Sequence, residues 1–263
     1  MNKIITSSLL ILLILFALSS CLDYEKEYLP LGEVKLYVTE ELSTESRRLH
    51  FNFFTSETYD CLNYSIRHNS LSSDELIEID LVDIEKSSLC LSDTGPAYTS
   101  IDLGNYTTGN YPIRIWVGTA VNDGHLEVSD ERYVVNIENP QMLIAQYDTL
   151  NRIPEDIIWG AIGYYIAEAD TVVNAFLDSL ESVGAQPRVL TPGEYGYFQA
   201  DSTGQIIAPE SLEFNSIKTF VYDYTEPIEK VEEVIEYFAN YYANTLFVYL
   251  YNSDGEIFIT SDY

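Results

Sequence analysis

The sequence predicts an all-β sandwich followed by an α+β domain built from a duplicated β-α-β-β unit. Three observations lead there. Residues 33–139 alternate apolar and polar side chains at period two, with turn-forming clusters between the runs and no helical spacing held for three turns. Helical periodicity enters only beyond Pro154. Within 157–263 one order of segments then occurs twice.

The first region holds candidate strands at 34–38, 49–53, 61–66 and 77–82. Runs at 101–104, 111–117, 126–128 and 133–137 complete the set. Asn122-Asp123-Gly124 is the expected hairpin turn, because Asp-Gly favours tight connections. About seven short strands over roughly a hundred residues fit an immunoglobulin-like sandwich. The cadence Asp102-Leu103-Gly104, Gly109-Asn110-Tyr111, Ile113-Arg114-Ile115 resembles the Ig-like modules of exported Bacteroidota proteins. That resemblance is one of strand and turn style and carries no catalytic motif.

Residues 140–156 read as a linker, and 157–166 as a buried strand. Asp170 is placed to cap a helix whose apolar face is Val172, Val173, Phe176, Leu177, Leu180 and Val183, ended by Gly184 and Pro187. Residues 195–198 run into the turn Asp201-Ser202-Thr203-Gly204, and Gln205-Ile206-Ile207 returns. The second copy repeats this order. A strand at 220–224 leads to Thr225 as cap, with Pro227 in the first turn. Ile228, Val231, Val234, Ile235, Phe238 and Tyr242 line the helix face. Residues 246–251 then enter the turn Asn252-Ser253-Asp254-Gly255, and 256–259 return. Two such units would form a sheet with two helices on one face. The second turn imitates part of a calcium loop, but its end ligand positions would be Leu250 and Ser261, so it reads as a hairpin.

The N-terminus carries one basic residue, Lys3, then an apolar run ending in Leu18-Ser19-Ser20-Cys21. A charged start, a short apolar run and small residues before the cut describe a signal peptide over 1–20. Leu-Ser-Ser-Cys resembles the lipobox of bacterial lipoproteins, in which the Cys is acylated. That resemblance implies lipidation of Cys21, stable attachment by several acyl chains and a place in the cell envelope, most simply at the outer membrane. Residues 21–32 form an acidic tether. Their acids resemble both the surface-export signals of Bacteroidota lipoproteins and inner-membrane retention signals elsewhere, which leaves the leaflet open.

Composition narrows the function. Forty-two acids against thirteen Lys and Arg give a formal charge of −29, which becomes −30 once residues 1–20 and Lys3 are removed. Such a balance argues strongly against nucleic acid as a partner, since phosphates demand a basic face. Membrane contact must then come from the lipid anchor. With Cys21 spent on lipid, Cys61 and Cys90 remain in an oxidising compartment, where pairing is the default. The loop they close is worth on the order of 3–4 kcal/mol. No metal and no cofactor are expected, because His50, His68 and His125 lack ligand spacing. His50, His68 and Trp116 sit in strand patterns and read as packing or solvent-facing residues.

No nucleophile elbow, zinc-protease helix, phosphate loop, dinucleotide fingerprint or paired-Cys redox motif occurs, so no catalytic residue is assigned. Tyr222 and Tyr224 share one face of their strand with Phe220, and Tyr249 and Tyr251 share one face with Phe247. An uncovered face of that kind is a platform for a protein or a glycan; a face covered by helices is core. Asp148-Thr149-Leu150, Asp170-Thr171-Val172, Asp178-Ser179-Leu180 and Asp201-Ser202-Thr203 resemble the Bacteroidota O-glycosylation acceptor, marking Thr149, Thr171, Ser179 and Ser202. The leading expectation is a non-catalytic envelope lipoprotein that binds a protein or glycan partner. A structural assembly subunit, or an enzyme with unrecognised carboxylates, are the alternatives.

Overall fold

A computed structural model describes residues 26–262 apart from 74–75, 88, 91–92, 167–168, 210–211 and 244. The expected signal segment 1–20 and the expected lipidation site Cys21 lie outside the described residues. The first half of the chain forms β1 (Tyr28–Pro30), β2 (Val34–Leu42), β3 (Arg47–Thr55), β4 (Ser65–Ser72), β5 (Ile77–Glu85) and β6 (Tyr98–Gly104). It continues with β7 (Gly109–Val117), β8 (Ala120–Val128), β9 (Arg132–Ile137), β10 (Leu143–Ala145) and β11 (Thr149–Asn151).

The expected immunoglobulin-like sandwich is overturned. One mixed sheet forms in the order β10-β2-β3-β6-β4-β5-β7-β8-β9-β11, with β1 attached to β5, and it curls into a half-barrel. Continuity runs through the join of β6 to β4, where Tyr98 pairs in parallel with Ser65. Two further pairs, β5–β7 and β10–β2, are also parallel. Bulges at Leu49/His50 and Arg67/His68 increase the local twist. The period of two correctly sorts the side chains, since Leu36, Phe51, Phe53, Ile79, Leu81 and Ile115 are all buried in one core. It carries no information on whether that core lies between two sheets or inside one curl.

Two local expectations also change. The β7–β8 hairpin turns at Gly118, which has φ +58°, and Asn122, Asp123 and Gly124 lie inside β8. Asn122 is buried there, with Nδ2 donating to the Ile115 carbonyl at 3.2 Å and Oδ1 accepting from Gln141 N–H at 2.6 Å. Gly124 is needed for close approach, since a Cβ would meet the Asn136 carbonyl oxygen at 2.1 Å. Within 21–32, residues 28–30 pair with Asp83, Ile84 and Glu85 as a strand. Cys61 and Cys90 are bonded, with Cα atoms 5.3 Å apart, closing the base of the β4–β5 hairpin.

The second half contains β12 (Ile157–Tyr164), α1 (Asp170–Ser182), β13 (Gln186–Pro187), β14 (Gly193–Glu194), β15 (Gln199–Ala200) and β16 (Ser216–Asp223). It ends with α2 (Glu229–Tyr242), β17 (Phe247–Asn252) and β18 (Ile257–Ile259). A five-stranded antiparallel sheet has the order β13-β16-β12-β17-β18. Its central strand β12 is buried along its whole length, as a run of near-continuous apolar residues requires.

The duplicated β-α-β-β unit does not form. In the second copy β17 pairs with the central strand, whereas the corresponding residues 195–198 cap the tip of the β14–β15 hairpin. That hairpin joins the large sheet through Leu150 and Glu194. What repeats is the turn alone. Asp201 Oδ1 accepts from the N–H of Thr203 and Gln205, and Asn252 Oδ1 accepts from the N–H of Asp254 and Glu256. Gly204 and Gly255 hold φ near +80° in the two turns. This side-chain chemistry is local and repeats with the sequence; strand pairing is not local and does not.

Both helices pack on one face of the small sheet. Val173, Phe176, Leu177 and Leu180 of α1 meet Val231, Ile235 and Phe238 of α2 over Ile158, Ile162, Phe220, Val248 and Leu250. The helix starts differ from expectation. Ala169 and Ile228 occupy the N-cap positions without a side-chain cap bond, Asp170 is already the first residue of α1, and Thr225 lies before α2 begins.

Candidate functional site

Alternation along the small sheet decides what its helix-free face carries. Trp159 lies opposite Tyr251 on β17 and Val221 on β16, and Ala161 lies opposite Tyr249 and Thr219. These residues point away from the helices. The even-numbered set, Ile158, Phe220 and Tyr222 among them, points into the helical core.

The helix-free face is only partly covered. Ile157, Trp159 and Val221 pack with Leu42, Ile153, Leu190, Tyr195 and Ala200, which belong to the large sheet and its approaches. The β14–β15 tip brings Tyr197 and Phe198 over the small sheet, and the Tyr197 hydroxyl accepts from Leu42 N–H at 3.2 Å. Between this tip, the small sheet and the segment around Ile206, Pro209 and Leu212 lies a cavity of about 310 Å³.

Its wall is aromatic. Trp159 stacks on Tyr251 with ring centroids 5.7 Å apart and planes 12° apart. Tyr197 meets the indole nearly edge-on at 5.9 Å, and Phe198 lies 5.6 Å from it. Tyr249 completes that side, and Thr219 contributes a hydroxyl that donates to the Ile206 carbonyl at 2.7 Å. Among the described residues, the hydroxyls of Tyr249 and Tyr251 and the indole N–H of Trp159 make no hydrogen bond. Burial raises the Tyr197 phenol above its ordinary value, opposed by the bond from Leu42 N–H. None of the eleven lining residues is a carboxylate, His, Cys, Lys or Arg.

The four tyrosines singled out from the sequence are therefore divided. Tyr249 and Tyr251 are half-buried and line the cavity. Tyr222 and Tyr224 are buried in the helical core, with hydroxyls donating to Glu181 Oε1 at 3.3 Å and to the Pro227 carbonyl at 2.9 Å. Burial, then the neighbouring Glu181 charge, pushes the Tyr222 phenol up to about 12. Trp159, Tyr197 and Phe198 were not marked as site residues by the sequence. Trp159 reads there as one more apolar residue of a buried strand, and Tyr197 and Phe198 as half of a repeat.

The remaining candidates lie apart from this cavity. Thr149 is half-buried in β11, and Thr171 is exposed in the first turn of α1. Ser179 is half-buried, its hydroxyl donating to the Ala175 carbonyl at 2.7 Å, and Ser202 is exposed in its turn. His50 Nε2 lies 2.9 Å from Glu41, and His68 Nδ1 lies 3.0 Å from the Thr99 hydroxyl. Trp116 is half-buried under the Arg114 guanidinium at 5.7 Å. Among the described residues no three His, Cys, Asp or Glu converge as a metal site.

One buried charge cluster serves the frame. Glu40 Oε1 accepts from the Tyr133 hydroxyl at 2.7 Å and from Arg152 Nε at 3.2 Å, while Oε2 lies 3.6 Å from Arg47 Nη1 without a hydrogen bond. Burial, then the Glu40 charge, raises the Tyr133 phenol well above its ordinary value. The cluster ties β2, β3 and β9 to the segment leading into the small sheet.

Comparison with protein-family models, characterised proteins and solved structures finds no match to this chain.

Proposed function

We propose that this protein is a non-catalytic binding module of the bacterial cell envelope, held to the membrane through acylated Cys21, and that the aromatic cavity receives its ligand. One observation carries the reading: an open cavity walled by Trp159, Tyr197, Phe198, Tyr249 and Tyr251, whose described lining residues include no carboxylate, imidazole, thiol or amine. Small-ligand sites are mostly apolar concavities with a few polar groups that fix orientation. Acid–base chemistry most often uses an imidazole or a carboxylate within reach of the reacting atoms. The cavity also sits where two sheets meet, and such junctions favour binding sites.

The chain contains two tryptophans, so Trp116→Phe leaves Trp159 as a single fluorescent reporter inside the cavity. A fragment screen on that variant, read by Trp159 emission and ligand-observed NMR, is expected to give hits that weaken in Tyr251→Ala. A screen with no hits, or with hits indifferent to Tyr251→Ala, would overturn the binding reading. The anchor is tested separately: Cys21→Ser should move the protein from the membrane to the soluble fraction of the producing bacterium.

A further inference from the structure

Resting on the cavity being the binding site, we infer that its ligand is a neutral sugar ring, held against Tyr249 and Tyr251 by its C–H face. The first ground is charge. Among the described residues the cavity wall carries no formal charge, so a charged ligand would leave water with no counter-ion from these residues to meet it. A chain with a formal charge of −29 also repels acidic sugars and other anions at long range.

The second ground is the mixture of surfaces. Pyranose rings combine a flat patch of C–H bonds with a rim of hydroxyls. Opposite them stand tyrosine rings whose faces supply apolar area and whose hydroxyls remain without partners among the described residues. The Thr219 hydroxyl donates to the protein and keeps its lone pairs for a ligand donor. The indole of Trp159 has a further N–H to give.

The third ground is size and ring use. At about 310 Å³ the cavity admits one or two six-membered rings and no folded partner. A cage for a quaternary ammonium ion would turn several ring faces onto one centre. Here Trp159 and Tyr251 each spend one face on the other, which leaves Tyr251 a single face for a ligand, and Phe198 stacks on Tyr195 at 4.8 Å. Tyr249, by contrast, meets no other aromatic ring among the described residues.

The test titrates the Trp116→Phe protein with cellobiose, maltose and N,N′-diacetylchitobiose, and with glucuronate and choline as charged probes. At least one neutral disaccharide should change Trp159 emission, with an affinity that 0.5 M salt leaves unaltered. Tyr249→Ala and Tyr251→Ala should each weaken it at least about tenfold. Should an alanine variant fail to fold, Tyr249→Phe and Tyr251→Phe keep the rings and should weaken binding about two- to tenfold through the lost hydroxyl. Binding of choline or glucuronate in place of the disaccharides overturns the inference. So does failure of all three disaccharides when fragments do occupy the cavity, an outcome that leaves the binding reading standing. A cavity that takes no fragment brings down both.

Discussion

Two aromatic stripes, Phe220-Tyr222-Tyr224 and Phe247-Tyr249-Tyr251, look alike in the sequence and end on opposite sides of one sheet. Both begin on strands that flank β12. On β16, Phe220 pairs with Gly160 and Tyr222 with Ile158, which places that stripe under the helices. On β17, Tyr249 pairs with Ala161 and Tyr251 with Trp159, which turns that stripe to the other face. A shift of one residue relative to the shared neighbour separates core from cavity wall. Pattern fixes which side chains travel together; register fixes what they meet.

The largest way to test this contrast is to truncate the core stripe. Phe220→Ala should cost about 3–5 kcal/mol in urea unfolding, because the ring lies against Phe176 and Tyr222 in a packed core. A cost near that of an exposed site would mean that the stripe is not core. Next comes the strand that both stripes share. At Gly160 a Cβ would meet the Tyr249 carbonyl oxygen at 2.0 Å and Phe220 Cζ at 2.9 Å. Gly160→Ala should therefore destabilise by about 1–3 kcal/mol or more and disturb the cavity as well, which the Trp159 emission maximum reports.

Tyr251→Ala should cost less, about 1–2 kcal/mol, since it removes a half-buried ring and its stack on Trp159 while leaving the helical core intact. Equal losses for Phe220→Ala and Tyr251→Ala would erase the distinction between the stripes. The smallest effect is Tyr222→Phe, about 0.5–1.5 kcal/mol at neutral pH for the bond to Glu181. Its signature is a pH profile. The folded phenol is raised from 10 to about 12, so its stabilisation is complete below pH 10 and falls as pH rises toward 12. Unfolding free energies measured from pH 9 to pH 12 should lose part of this alkaline slope in the Phe variant.

Much of the fold was legible where the code is local. The helix faces, the two Asx-type turns with Gly204 and Gly255, and the inward sides of β2, β3 and β5 all follow from spacing alone. Cys61 and Cys90 were legible by arithmetic once Cys21 was assigned to lipid, and they are bonded. What failed was long-range pairing. The join of Ser65 to Tyr98, which makes one curled sheet out of strands that fit a sandwich, leaves no mark in either segment. Residues 195–198 resemble 246–249 locally, yet Glu194 pairs with Leu150 of the large sheet, and the apparent repeat is broken. The cavity is a product of that break. Had the tip joined the small sheet, the part of the wall that Tyr197 and Phe198 supply over Trp159 would be missing.

The short strand β1 has a consequence for where the molecule stands. Pairing of residues 28–30 with β5, reinforced by Lys26 with Glu85 and Lys86 with Glu27, fixes the start of the sheet seven positions beyond Cys21. With the anchor proposed at Cys21, the seven residue steps to Tyr28 can span no more than about 25 Å. Under that proposal the half-barrel would ride within a molecular diameter of the lipid headgroups. A ligand for this cavity would have to come to the membrane surface to be met.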